Sequence, residues 1–258
     1  MNLVSNLFGS SIGRKILMAV TGFVLVGFVV GHLVGNLQIF SHPDKINGYA
    51  HFLHSLGPVL WIARIGLLVC VAIHIWAAIV LTLESRRARG SEPYGVKTWI
   101  QATFASRYMR WTGFVVLAFI VYHLAHFTFG VAQGSTFKET LPAYTMVGDY
   151  RLLGLTVVEA GTPVLDVYTM VVRGFQIPLV AVFYIIAVGL LSFHLLHGVD
   201  SLFQTFGWRN ARWARPLRTV VAITCVSYFV LNAAIPGSVL VGRLTPSAAA
   251  VSAPVARH

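Results

Sequence analysis

The chain has 258 residues, of which 57% are hydrophobic and 10% charged, and its mean hydropathy is +0.76. This excludes a disordered chain, which needs low hydrophobicity and high charge. It also leaves more apolar surface than a soluble core of this size can hide, so lipid is the expected solvent. The net charge of +11 comes from 19 Lys and Arg against 8 Asp and Glu; one reading is a nucleic-acid partner, the other is basic loops flanking membrane spans.

In chain order, five uncharged stretches reach the roughly 20 residues that cross a bilayer as a helix: 16–40, 65–83, 111–137, 174–199 and 219–242. The second extends back to Pro58 if Arg64 snorkels or is paired. Trimmed to the hydrocarbon, the predicted helices are about 16–38, 58–83, 111–130, 176–197 and 218–236. Pro58 and Pro178 suit first turns, and Pro236-Gly237 is a stop signal for the fifth helix. The first stretch is too long for a signal-peptide core and lacks a clean cleavage site, so it reads as a retained span. The six tryptophans lie mostly near span ends, as in an aromatic belt. Residues 1–242 form one transmembrane domain in this reading, and the small, Ala-rich tail 243–258 reads as disordered. No repeat points to an inverted-repeat transporter. Cys70 and Cys225 sit in apolar runs without a C-x-x-C partner, which excludes a disulfide scaffold, a thiolate zinc site and covalently attached haem.

The basic residues sort by side. Twelve fall at the N-terminus (Arg14, Lys15), in the connection 84–110 and after the fourth span; six fall on the other side, with Arg64 left aside. The positive-inside rule then puts the N-terminus in the cytoplasm and the C-terminus outside, and accounts for the charge without nucleic acid.

Ionisable groups inside spans are costly and mark function. Six of the ten histidines lie there: His32, His74, His123, His126, His194 and His197. At 1.5 Å per residue, His32 and His123 fall toward the outer side and His74 and His194 toward the inner side. Two imidazoles on two helices at one depth can clamp an iron from both faces, as a b-type haem requires. His123 and His126, like His194 and His197, share a helix face, and only one of each pair is needed as a ligand. Gly27, Gly31 and Gly35 beside His32 either make room for a macrocycle or pack two helices closely. His42, His51, His54 and His258 read as solvated, with His51 and His54 able to edge a site near the outer pair. No carboxylate lies mid-span, which argues against a proton or cation pump.

Several runs together resemble one family. They are Ser11-Ile-Gly-Arg-Lys-Ile-Leu-Met-Ala-Val-Thr-Gly22, His32-Leu-Val-Gly-Asn36, Tyr49-Ala-His-Phe-Leu-His-Ser-Leu-Gly57, Arg110-Trp-Thr-Gly113 with Tyr122-His123, Asp166-Val-Tyr-Thr-Met-Val-Val172, Phe193-His-Leu-Leu-His-Gly198 and Phe203-Gln-Thr-Phe-Gly207. Over residues 11–235 the chain resembles the cytochrome b membrane-anchor subunit of succinate dehydrogenase/fumarate reductase, of the five-helix, di-haem, single-anchor type. The resemblance implies an all-α membrane protein with five transmembrane helices, the first four forming a bundle around two b-type haems. It implies axial ligands His32 with His123, and His74 with His194, preferring these over His126 and His197. It further implies a bacterial cytoplasmic membrane, a flavoprotein and an iron–sulfur subunit docked at the cytoplasmic face, and electron transfer to a quinone, menaquinone by subgroup. The alternative is a b-haem anchor of another oxidoreductase, such as hydrogenase or formate dehydrogenase. The chain departs from some relatives in carrying Ser192 two residues before His194 and only Asp44 as an acid in 41–57. Arg64 reads either as a haem-propionate partner or as an interfacial arginine.

Overall fold

A computed structural model describes residues 2–89 and 104–247. Its helices are α1 (Leu3–Gly9), α2 (Ser11–Asn36), α3 (Pro43–Ser55), α4 (Pro58–Arg89), α5 (Phe104–His123), α6 (Val167–Phe175), α7 (Pro178–Thr205) and α8 (Ala214–Leu240). Five of them, α2, α4, α5, α7 and α8, are long and apolar enough to cross a membrane. The chain is thus a multi-pass membrane protein with largely helical structure. On α4 alone Val59, Ile62, Ile65, Leu68, Val69 and Ile79 stay exposed, a surface that suits lipid and not water. Trp61, Trp208 and Trp213 are also exposed, near helix ends.

The helices outrun the predicted spans. Helix α4 continues through Glu84 to Arg89, and α7 passes residue 197 to reach Thr205, because charged side chains at a lipid boundary do not interrupt backbone bonding. Helix α8 runs through Pro236 to Leu240 instead of stopping there. So close to the helix end, the proline removes a single backbone bond.

The chain divides into two compact units, and both draw on the long helices. The first comprises Met1–Val30, Trp61–Thr112 and Ser192–Val226. In it Arg14 pairs with Glu84, and Ser11 Oγ donates to the same carboxylate at 3.2 Å, tying the start of α2 to the end of α4. Arg14 Nη1 also donates to the Phe8 carbonyl at 2.7 Å, which pins α1. Asp200 pairs with Arg209 at 3.4 Å and Arg218 at 3.5 Å, so two arginines of the last basic connection are neutralised locally. The basic connection 84–110 lies partly outside the described residues, at 90–103.

The second unit comprises Gly31–Leu60, Gly113–Leu191 and Ser227–His258. Here the connection before α6 folds into two small antiparallel ribbons, β1 (Tyr144–Thr145) with β4 (Pro163–Val164) and β2 (Tyr150–Leu152) with β3 (Leu155–Val158). Leu153 and Gly154 turn the second ribbon with φ of 51° and 86°, the paired left-handed geometry of a tight hairpin. Tyr144, Met146, Tyr150, Val158 and Val164 form a buried cluster, and Tyr49 and Phe52 of α3 pack against it.

Buried polar side chains fasten these pieces. Asp44 accepts from Tyr144 Oη at 2.9 Å and from the backbone N–H groups of Val147 at 3.0 Å and Gly148 at 2.9 Å. Asn47, fully buried, donates to Asp166 Oδ1 at 3.3 Å and accepts from the Tyr168 N–H at 2.8 Å. Asp166 caps α6 through the Thr169 N–H at 2.9 Å and accepts from Ser247 Oγ at 2.8 Å. Ser247, expected in the disordered tail, is therefore buried and bonded; residues 248–258 lie outside the described residues.

Burial alone would raise the Asp44 pKa, but the Val147 N–H, the Tyr144 hydroxyl, the Gly148 N–H and His42 outweigh it and hold the carboxyl below its ordinary value. A carboxylate whose pKa is lowered on folding stabilises the fold above its unfolded pKa, and loses that contribution as pH falls through the folded value. Protease resistance of residues 138–166 in detergent is therefore expected to fall below about pH 4. Asp44→Ala is expected to cost about 3 kcal/mol and to expose the same segment at neutral pH; unchanged digestion would contradict the fastening role.

Candidate haem-ligand sites

The four span histidines singled out as ligands come together two by two. In the first unit the rings of His74 on α4 and His194 on α7 have centroids 6.5 Å apart and planes at 61°. In the second unit His32 on α2 and His123 at the end of α5 have centroids 5.7 Å apart and planes at 88°. Two imidazoles that bind one first-row metal through one nitrogen each, at about 2 Å, hold their centroids roughly 6 Å apart. Both observed separations fit that span. Because both ring planes contain the nitrogen–metal axis, any angle between them is compatible with it. His32 is exposed and the other three are half-buried, so each side chain keeps accessible surface.

The first pair is supported from outside. His74 Nδ1 lies 3.3 Å from Thr21 Oγ1, and the ring also bonds to the Met18 backbone. His194 Nδ1 lies 3.3 Å from Thr112 Oγ1, and its ring bonds to the Met109 backbone. Engaging Nδ1 leaves Nε2 as the nitrogen available to a metal. The second pair differs: among the described residues, His123 Nδ1 is buried and has no hydrogen-bond partner. Aromatic rings surround His123 instead, with Phe119 at 5.7 Å, Phe127 at 5.8 Å and Tyr184 at 6.0 Å between centroids.

The glycine stripe separates its two readings. A Cβ added to Gly27 or Gly31 would meet nothing within 4 Å, whereas one on Gly35 would strike the Tyr49 ring. Close helix packing therefore explains Gly35 alone, and Gly27 and Gly31 leave open space on α2. At Gly22 a Cβ would stand 3.3 Å from His74 Cε1, so this glycine makes room for the ring. Together, paired imidazoles and open glycine faces fit a planar iron macrocycle held from two sides.

Compared with family models, curated proteins and solved structures, the chain matches none of them.

The remaining histidines take other roles. After His123 the helix widens into a π-type turn over Leu124–Thr128, with the Phe129 N–H bonded to the Leu124 carbonyl at 2.9 Å. This turn places His126 in the interior, stacked on Phe127 at 3.8 Å, with Nδ1 3.0 Å from Tyr184 Oη. His126 is thus a buried partner of Tyr184 and Phe127. His197 lies within electrostatic reach of Asp200. His51 and His54 line a small cleft of ≈ 30 Å³ with Ala50, Leu165 and Val167. His42 pairs with Asp44 at 3.0 Å. The Arg64 guanidinium sits 5.1 Å over the Trp61 ring, which supports the interfacial reading.

Sequence reasoning missed Thr21 and Thr112, although a signal was present. Residues 18–33 and 109–124 match at nine of sixteen positions, sharing Met18/Met109, Thr21-Gly22/Thr112-Gly113, Phe23-Val24/Phe114-Val115, Phe28/Phe119, Val30/Val121 and His32-Leu33/His123-Leu124. The copies lie on the first and third of the five spans, which the chain crosses in the same sense, unlike the inverted-topology repeats of transporters.

Gly174 faces His126: a Cβ there would lie 2.9 Å from Nε2 and 3.1 Å from Phe127 Cε1. Gly174→Ala is expected to push the stack aside and cost about 1–3 kcal/mol, measured as a lower melting temperature in detergent. A melting curve unchanged from the parent would show that the stack yields freely.

Proposed function

We propose that His32 with His123, and His74 with His194, are the axial ligands of two b-type haems. We propose further that the chain is the di-haem membrane anchor of a succinate:quinone oxidoreductase. The observation that carries the haem reading is the meeting of four span imidazoles as two pairs, each at a separation one metal ion can bridge. The family motifs in the sequence support the more specific assignment, including the flavoprotein and iron–sulfur partners, the quinone substrate and a cytoplasmic N-terminus in a bacterial membrane.

When bound, haem supplies a one-electron carrier whose potential the protein tunes through ligands, hydrogen bonds and burial. The chain's own part is to hold the imidazoles neutral and oriented. Thr21, Thr112 and the Met18 and Met109 carbonyls do this for one pair. Aromatic packing around His123 does it for the other. Succinate oxidation belongs to the partner subunits, and this chain's contribution is the passage of electrons to quinone.

Haem content of the purified protein, measured as the reduced pyridine haemochrome, tests the reading. Two b haems per chain are expected. His123→Ala is expected to lose one, while His126→Ala keeps both. One haem per chain, or none, would overturn the paired assignment. Co-purifying subunits separate the succinate assignment from a hydrogenase or formate dehydrogenase anchor, which would use the same ligand geometry.

A further inference from the structure

We propose that Thr21 and Thr112 are matched positioning residues, one on each copy of a duplicated helix run, that hold His74 and His194 in the same tautomer with Nε2 turned to one shared iron. The inference rests on the haem reading above and adds the device that orients one of its two ligand pairs.

The geometry is the same on both sides. Each threonine is buried, at 6% and 7% exposure, and each Oγ1 stands 3.3 Å from the Nδ1 of a histidine on the neighbouring helix. Each hydroxyl has already placed its own proton within its helix: Thr21 donates to the Leu17 carbonyl at 2.7 Å, and Thr112 to the Met109 carbonyl at 3.0 Å. A hydroxyl that has given its proton away can only accept from a second partner. The imidazole must then carry its proton on Nδ1 and keep the Nε2 lone pair for a metal.

The repeat explains why the device occurs twice. In each copy the threonine follows the methionine by three residues and precedes a ligand histidine by eleven. Helix α2 therefore lends Thr21 to one pair and His32 to the other. Helix α5 lends Thr112 and His123 in the same way. A duplicated run of this kind serves both sites without either copy being redundant.

The support is unequal between the sites, since among the described residues His123 Nδ1 lacks a partner. An imidazole that donates from its second nitrogen is a more basic ligand and favours the oxidised metal. Removing the acceptor is expected to raise the potential of the haem it serves.

The test is a spectroelectrochemical titration of the intact, haem-loaded protein with Thr21→Val, Thr112→Val and the conservative Thr21→Ser and Thr112→Ser. Both valine variants are expected to raise the midpoint potential of one and the same haem and leave the other unmoved. The serine variants are expected to titrate as the parent does. If the valine variants shift neither haem, or shift different ones, the positioning role is overturned while the haem reading stands. A parent protein that holds no haem would overturn the haem reading itself. Loss of folding in a valine variant is read against its serine counterpart: a folded serine variant with a displaced potential also contradicts the proposal.

Discussion

Lipid offers no hydrogen bonds, so every polar group carried into a span must find its partner within the chain or in something the chain holds. The structure is organised around that constraint. Thr21 and Thr112 satisfy their hydroxyls inside their own helices and then meet imidazoles across the helix interface. His126 meets Tyr184. Arg14 and Glu84 satisfy one another, and Asp200 takes two arginines. Within this framework the four span imidazoles meet as two close pairs.

The same rule governs the second unit beyond its helices. Asp44, Asn47 and Asp166 are carboxyl and amide groups with almost no exposure, and each bonds to segments distant in sequence, Asp44 and Asn47 through backbone N–H groups and Asp166 through the Asn47 and Ser247 side chains. They do for the connection between α5 and α7 what helical bonding does for the spans. Short strands of two to four residues cannot stabilise themselves, so their order depends on this network and on the Tyr144–Met146–Tyr150 cluster. The ribbons thereby gain a fixed placement on α3 and α6, the helices with which they share those bonds.

Much of this architecture was legible in the sequence, for physical reasons. Spans reveal themselves by length and absence of charge, and the rise per residue let the depths of His32, His74, His123 and His194 be compared before any helix was built. The pairing inferred from depth is the pairing of rings observed. What stayed illegible depends on long-range partners or small irregularities. Nothing local marks Asp44 as the acceptor for Tyr144, a hundred residues away. Ser247 looked like tail because its composition is tail-like, yet Asp166 and Thr169 hold it. The place of His126 follows from a π-type turn that spacing rules for a regular helix do not anticipate. The α2–α5 repeat was readable, but its meaning came only when Thr21 and Thr112 were seen beside equivalent histidines.

The central claim is that two separate pairs of imidazoles each ligate one iron. Electron paramagnetic resonance of the oxidised, purified protein tests it most directly. Two distinct low-spin ferric signals of bis-imidazole type are expected, one abolished by His32→Ala and the other by His74→Ala. A single such signal, a high-spin spectrum, or two signals that both survive either substitution would contradict the account.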